Sequence, residues 1–97
     1  MAFSGTVSKL SESVIATSTT ILPKTDVVYL TGAVAIANIA PAWSGFSQRI
    51  VLVPLAAGAT LVATGNIAVA VALVQNRASE LVWSKLQQKW YPVIAAV

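Results

Sequence analysis

From Ile67 to Leu73, large apolar residues alternate with alanine without exception. Ile67, Val69, Val71 and Leu73 fall on one side of an extended chain, and Ala68, Ala70 and Ala72 on the other. Successive side chains of a strand point to opposite faces, so this period of two predicts a strand over residues 67–73. Residues 33–39 repeat the pattern, with Val34 and Ile36 opposite Ala33, Ala35 and Ala37. Residues 27–31 are β-branched or aromatic apart from Leu30, which reads as a strand ended by Gly32. Arg49 opens a run over 50–53 that Pro54 closes, since proline lacks the amide that a central ladder needs. A short strand is expected at 60–63, between small-residue or polar turns at 56–59 and 64–66. Another polar turn covers 75–77.

Two regions read less simply. Residues 40–48 hold Pro41, Trp43, Gly45 and Phe46, a loop that displays two aromatics. Residues 78–93 fit a helix capped at Ser79 with a Val82, Leu86, Trp90 stripe. They fit equally a hairpin of strands 80–83 and 89–93 about a turn near Leu86, Gln87 and Gln88. Propensity leaves both open.

Residues 1–22 are rich in Ser and Thr, whose hydroxyls compete for local backbone hydrogen bonds and disfavour a long helix. Val14, Ile15, Ile21 and Leu22 are too apolar for a free linker. An extended N-terminal arm that docks onto something is expected over 1–22, ended by Pro23, with one β module over 23–97.

The alanine face of 67–73 also bears on function. A solvated strand would carry Thr, Lys or Glu there. Ala68, Ala70 and Ala72 instead make a flat apolar strip, covered either by the chain's own loops or by a neighbouring subunit.

Composition sharpens this picture. The chain is 57% apolar and 9% charged, against roughly 45–50% and 25% in ordinary soluble domains. Its 97 residues make one domain with too little polar surface to cover itself. The cover must come from lipid, from further copies or from a large partner. Cysteine and histidine are both absent, which removes disulfides, thiolate metal sites and the commonest general base. The three carboxylates, Glu12, Asp26 and Glu80, are scattered. No acid/base pair or oxygen cage is indicated, so the expectation is a protein without enzymatic activity, cofactor or metal. Net charge is +3, but Lys9, Lys24, Arg49, Arg77, Lys85 and Lys89 are spread along the chain rather than gathered in a nucleic-acid-binding patch. The first residues carry no basic and apolar leader pattern, so export by a signal peptide is not expected.

An ordered set of short motifs adds a family resemblance. The set begins with Val28-Tyr29-Leu30-Thr31-Gly32, Ile36-Ala37-Asn38-Ile39 and Trp43-Ser44-Gly45. It continues with Ile50-Val51-Leu52, Leu61-Val62-Ala63-Thr64-Gly65-Asn66-Ile67 and Trp90-Tyr91. Together, over residues 27–93, these resemble a β module of tailed-bacteriophage virion proteins, found in tail fibres and in head decorations. The chain departs from that pattern at Leu86-Gln87-Gln88-Lys89, where a short Asp-Gly-type turn is usual, and at Pro92, where an acidic residue is usual.

The resemblance implies an all-β fold, a compact β-sandwich or a short β-solenoid-like module, with a hairpin at the C-terminus. It implies a structural role in the virion. A chain this short is best matched by a capsid decoration (cement) protein, oligomeric and by analogy trimeric, packed on a major capsid protein at the shell surface. Candidate contacts are the aromatics Trp43, Phe46 and Trp83, the arm residues Val14, Ile15, Ile21 and Leu22, and the strip Ala68, Ala70 and Ala72. Trp90 and Tyr91 are expected in the core. Another virion ornament, of tail or fibre, would share this logic.

A competing expectation is a holin-type protein with two spans in the host inner membrane. Residues 27–48 and 50–74 carry no charge, and each is long enough for a spanning helix. Pro41, Pro54, Gly58, Gly65 and Asn66 interrupt those stretches where strands would end.

Overall fold

The computed structural model describes residues 11–41 and 45–93, and among these there is strand and turn but no helix. Ten strands follow in order: β1 (Glu12–Ala16), β2 (Thr20–Ile21), β3 (Val27–Thr31), β4 (Ala35–Ile36), β5 (Asn38–Ile39), β6 (Gln48–Pro54), β7 (Thr60–Leu61), β8 (Val71–Ala72), β9 (Ser79–Ser84) and β10 (Lys89–Pro92). The stretches weighed as spanning helices are therefore short strands and turns wherever they are described, and among the described residues no helix is long and apolar enough to cross a membrane.

The main sheet has the order β1-β3-β6-β9-β10. Its first three strands are parallel, with Glu12 opposite Val27 and Val27 opposite Val51. Parallel neighbours need a crossover of a dozen residues or more, usually a helix. Here each crossover is itself extended. The one between β1 and β3 supplies β2, and the one between β3 and β6 supplies β4 and β5. These pieces pair one level apart: β2 with β5, and β4 with β7, both parallel. The chain thus climbs in stacked turns. It closes with β8 antiparallel to β7, and with the antiparallel ladders β6–β9 and β9–β10. Of the two forms open for residues 78–93, the hairpin is the one adopted.

The core lies between the main sheet and the crossover pieces. Val28, Leu30, Ile50, Leu52, Leu81, Trp83 and Trp90 point in from the sheet, and Ile21, Ile36, Ile39, Leu61, Ile67 and Leu73 meet them. Alternation along β3 and β6 follows the strand period, with buried and half-exposed positions taking turns.

Residues 12–21 do not form a separate arm. β1 is an integral strand of the main sheet, and Ile21 is buried in the core. The reason is long-range use of the hydroxyls that had been read as local. Thr17, itself buried, donates from Oγ1 to the Thr31 carbonyl (2.9 Å) and accepts from the Val34 amide (3.0 Å). Ser11 donates backbone N–H and hydroxyl to Asp26, and the Ser13 and Thr25 hydroxyls bond at 2.8 Å. Thr17→Ala would strand the Val34 amide and remove packing beside Gly32. It is expected to cost about 1–3 kcal/mol in a urea titration, with Thr17→Ser recovering much of the loss.

Two period-two segments are bent rather than straight. Residues 33–39 divide into β4 and β5, with Ala37 buried and Val34 exposed instead of inward. The Gly32 turn, at φ +78°, aims the Val34 amide at Thr17 and swings its side chain out. Residues 67–73 are likewise not one strand. Ile67 makes an isolated parallel bridge to Trp90, the chain bends over 68–69, and only Val71–Ala72 is strand. Ile67 and Leu73 remain buried and Val71 packs on the core, but Val69 is 47% exposed. The two ends of the segment are held by different partners, Trp90 at one and β7 at the other, so the run must turn.

Candidate interaction surface

The outward face of the main sheet is built from the residues that alternate with the core positions. Across the ladders, Glu12, Val27, Val51 and Glu80 form one row, Val14, Tyr29 and Val53 a second, and Arg49, Val82 and Tyr91 a third. Most of this face is aliphatic or aromatic. Val14 is 60% exposed, and Tyr91 and Val93 also stand clear of the surface. A sheet face turned to water ordinarily carries polar residues at these places.

Three of the charged residues on the face, Arg49, Glu80 and Glu12, have partners within it. Arg49 Nη1 lies 2.9 Å from Glu80 Oε2 across adjacent strands. The Tyr29 hydroxyl donates to Glu12 Oε1. That hydrogen bond, which only the protonated phenol can donate, pushes the Tyr29 pKa above its ordinary value; the Glu12 charge adds to the shift and desolvation contributes least. Asp26 is taken by Ser11 at the end of β1. Beside it, a small pocket of about 110 Å³ is lined by Ser11, Lys24, Asp26 and Arg49 among others. No histidine or cysteine stands near enough to make Ser11 a nucleophile, because the chain has neither. Among the described residues no three acidic, histidine or cysteine side chains gather as a metal site, and every buried side-chain nitrogen and oxygen has a hydrogen-bond partner.

The candidates from the sequence do not converge on one place. Val14 lies on the outward sheet face, whereas Ile15, next to it, packs against the core. Ile21 is buried and Leu22 exposed, the latter beside a shallow groove with Pro23, Lys24, Ala40 and Pro41. Phe46 is exposed, and Trp43 lies outside the described residues. Ala70 and Ala72 are exposed and Ala68 half-buried, on the bent segment rather than on a flat strip. Trp83 is a core residue at 2% exposure, its ring centroid 5.3 Å from that of Trp90 at a 55° tilt. It faces inward because Leu81 and Trp83 alternate with Val82 on β9. Tyr91, expected inside, is exposed for the same reason, since Trp90 takes the inward position of β10.

The outward residues Val27, Tyr29, Val51, Val53 and Val82 were missed as a group. Their signal was available: in both 27–31 and 50–53 the positions between core residues are apolar too, leaving those strands no polar face.

The motif Gly65-Asn66-Ile67 now has a structural reason. Asn66 sits against the turn below, its Oδ1 accepting from the Ile39 amide (2.8 Å) and its Nδ2 donating to the Ile39 carbonyl (2.7 Å). Trp90 Nε1 donates to that same carbonyl (2.8 Å). The motif residues hold neighbouring turns together rather than forming a reactive centre. Fold and surface together define an all-β module whose most prominent feature is an apolar sheet face. No protein-family model, no curated protein and no solved structure matches the chain.

Proposed function

We propose that this chain is a non-enzymatic structural subunit of a tailed-bacteriophage virion. Specifically, it is a decoration (cement) protein that assembles with its own copies and packs across subunits of the major capsid protein. The observation that carries this reading is the apolar outward face of the main sheet, with Val14, Tyr29, Val53 and Tyr91 where a solvated sheet would be polar. Burying such a face yields about 25 cal/mol per Å² before the costs of association. Repeated contacts around a shell raise the total through avidity, so no single strong site is needed. The motif order is the ground for the virion assignment; within the fold, Asn66 and Trp90 of those motifs bind the Ile39 carbonyl and Gly65 leaves room for the neighbouring turn. The module is then a short solenoid-like coil.

The test is occupancy on particles. In virions from a phage encoding this chain, cryo-electron microscopy should place it on the shell. Val53→Asp should lower its occupancy at least about tenfold, as expected when a charge is buried unpaired at an interface. Thermal melting of the variant in isolation is read alongside, because Val53 is only partly exposed on a central strand, where aspartate fits poorly; occupancy should fall at temperatures where the variant is still folded. Unchanged occupancy, or absence from every particle, would refute the assignment; density on the tail would move it to another ornament.

A further inference from the structure

One edge of the main sheet is closed and the other is open. At the β10 edge the Trp90 amide donates to the Asn66 carbonyl and the Trp90 carbonyl accepts from the Ala68 amide, while Pro92 has no amide to offer. At the β1 edge no further strand pairs among the described residues. The ladder to β3 shows which main-chain groups are left there. The Val27 amide donates to the Ser11 carbonyl and the Thr17 amide to the Thr31 carbonyl, both at 2.9 Å, so the odd-numbered residues of this stretch bond to β3. Alternation then turns the N–H and C=O of Glu12, Val14 and Ala16 away from the sheet. The side chains of these three residues are exposed as well.

Such a row is a template for another strand, and proteins ordinarily guard it with lysine, proline, a bulge or a cover. β1 carries neither lysine nor proline, and its ladder to β3 runs over all five residues without a bulge. Its one charged residue, Glu12, accepts from the Tyr29 hydroxyl, which draws the carboxylate back toward β3. What is missing selects the occupant. An edge kept for a foreign strand must still reject copies of its own chain, and charges or clashes in the self-paired register do this. Here that register has neither. Within the main sheet only β1 has a free edge, so a copy extends the sheet through its own β1, in a closed antiparallel pair about a two-fold axis. Centred on Val14, the pair uses both outward main-chain groups of Glu12, Val14 and Ala16. It sets Val14, 60% exposed in the single chain, against Val14 of the second copy, and each Glu12 opposite an Ala16. We infer that two copies of this chain join through β1 in this register, so that the apolar outward face runs unbroken across both. This deepens the structural-subunit reading by naming the contact between copies.

Sedimentation of the purified full-length protein over a concentration series tests this. A two-copy species is expected to form with a dissociation constant of about 1–100 μM, in keeping with a small contact. Val14→Pro removes the central outward amide and leaves the β1–β3 bonds in place, so it should raise that constant about tenfold or more with little change in circular dichroism. Val14→Lys leaves the backbone alone and sets two lysines face to face across the axis; it should have the same effect, and it decides the matter if the proline variant misfolds. The chain has no cysteine. Val14→Cys should therefore cross-link two copies on oxidation, whereas Ala16→Cys should not, its two positions lying roughly 13 Å apart along the pair. A monomer throughout the series, association untouched by the Val14 variants, or cross-linking at Ala16 without Val14 would each overturn the inference. So would a monomer whose occupancy on particles falls with Val14→Pro, since the edge would then belong to a strand of another protein. The virion reading is tested separately. A solution dimer absent from every particle keeps the inference and removes that reading, and a monomer found on the shell does the reverse.

Discussion

Replacing Trp90 by alanine is expected to destabilise the fold by about 3–5 kcal/mol, the range for removing a buried large aromatic. Trp90 is completely buried and is the largest such side chain in the core. Its backbone joins two partners. On one side it pairs with Trp83 of β9; on the other its amide donates to Asn66 (2.7 Å) and its carbonyl accepts from Ala68 (2.9 Å). The indole then reaches the Ile39 carbonyl in the turn below. Removing the ring leaves a cavity beside Trp83 and takes one of two donors from Ile39. Typical domains are stable by about 5–15 kcal/mol, so the loss would consume a large share of the total. Trp90→Phe separates the two effects: most of the area remains and the indole donor goes, for about 1–3 kcal/mol. Urea titrations followed by far-ultraviolet circular dichroism would measure both. Equal midpoints for Trp90→Ala and the unaltered chain would show that the hairpin closes on the coil without needing this side chain.

The second large effect is expected at Gly65. A β-carbon there would stand 2.2 Å from the Ala37 carbonyl oxygen and 2.3 Å from Asn38 Oδ1. The Ala37 contact is with backbone one turn below, so no side-chain rotation relieves it. Gly65→Ala must push the two turns apart and lengthen the Asn66–Ile39 hydrogen bonds that hold them. Overpacking costs about 1–3 kcal/mol, occasionally more. The rigid backbone neighbour puts this case at about 3 kcal/mol or above. The double variant Gly65→Ala/Asn38→Ala should recover only part of the loss, because the Ala37 carbonyl still blocks the site. Full recovery would mean that the close contact is with the asparagine alone. Gly65→Ala and Asn66→Ala should also be less than additive, since both loosen one joint.

Both positions belong to motifs that stood out before the structure, though their roles did not. Gly65 read as part of a turn and Trp90 as core. The exposed anchors expected at Trp83 and Phe46 divided, because the parity of Trp83 within 79–84 depends on where β9 begins to pair with β6. The turn near Leu86, Gln87 and Gln88 was one of two readings that propensity left open and the one that the resemblance implied, and the β9–β10 ladder has it.

What the residues determined by themselves was local: extended conformation over runs such as 27–31 and 50–53, and the breaks at Gly32 and Pro54; which side of those two strands faces the core was left to the packing. Those follow from sterics and from a side-chain period of two, which act between neighbours along the chain. Only the tertiary structure decided that residues 12–16 join the sheet, that 67–73 bends, and that Ile39 receives both Asn66 and Trp90. Each of these depends on groups from 10 to 51 residues apart in the chain. A hydrogen-bonding group selects such a partner only once packing has brought the turns into register, and alternation along a single segment carries no record of that choice.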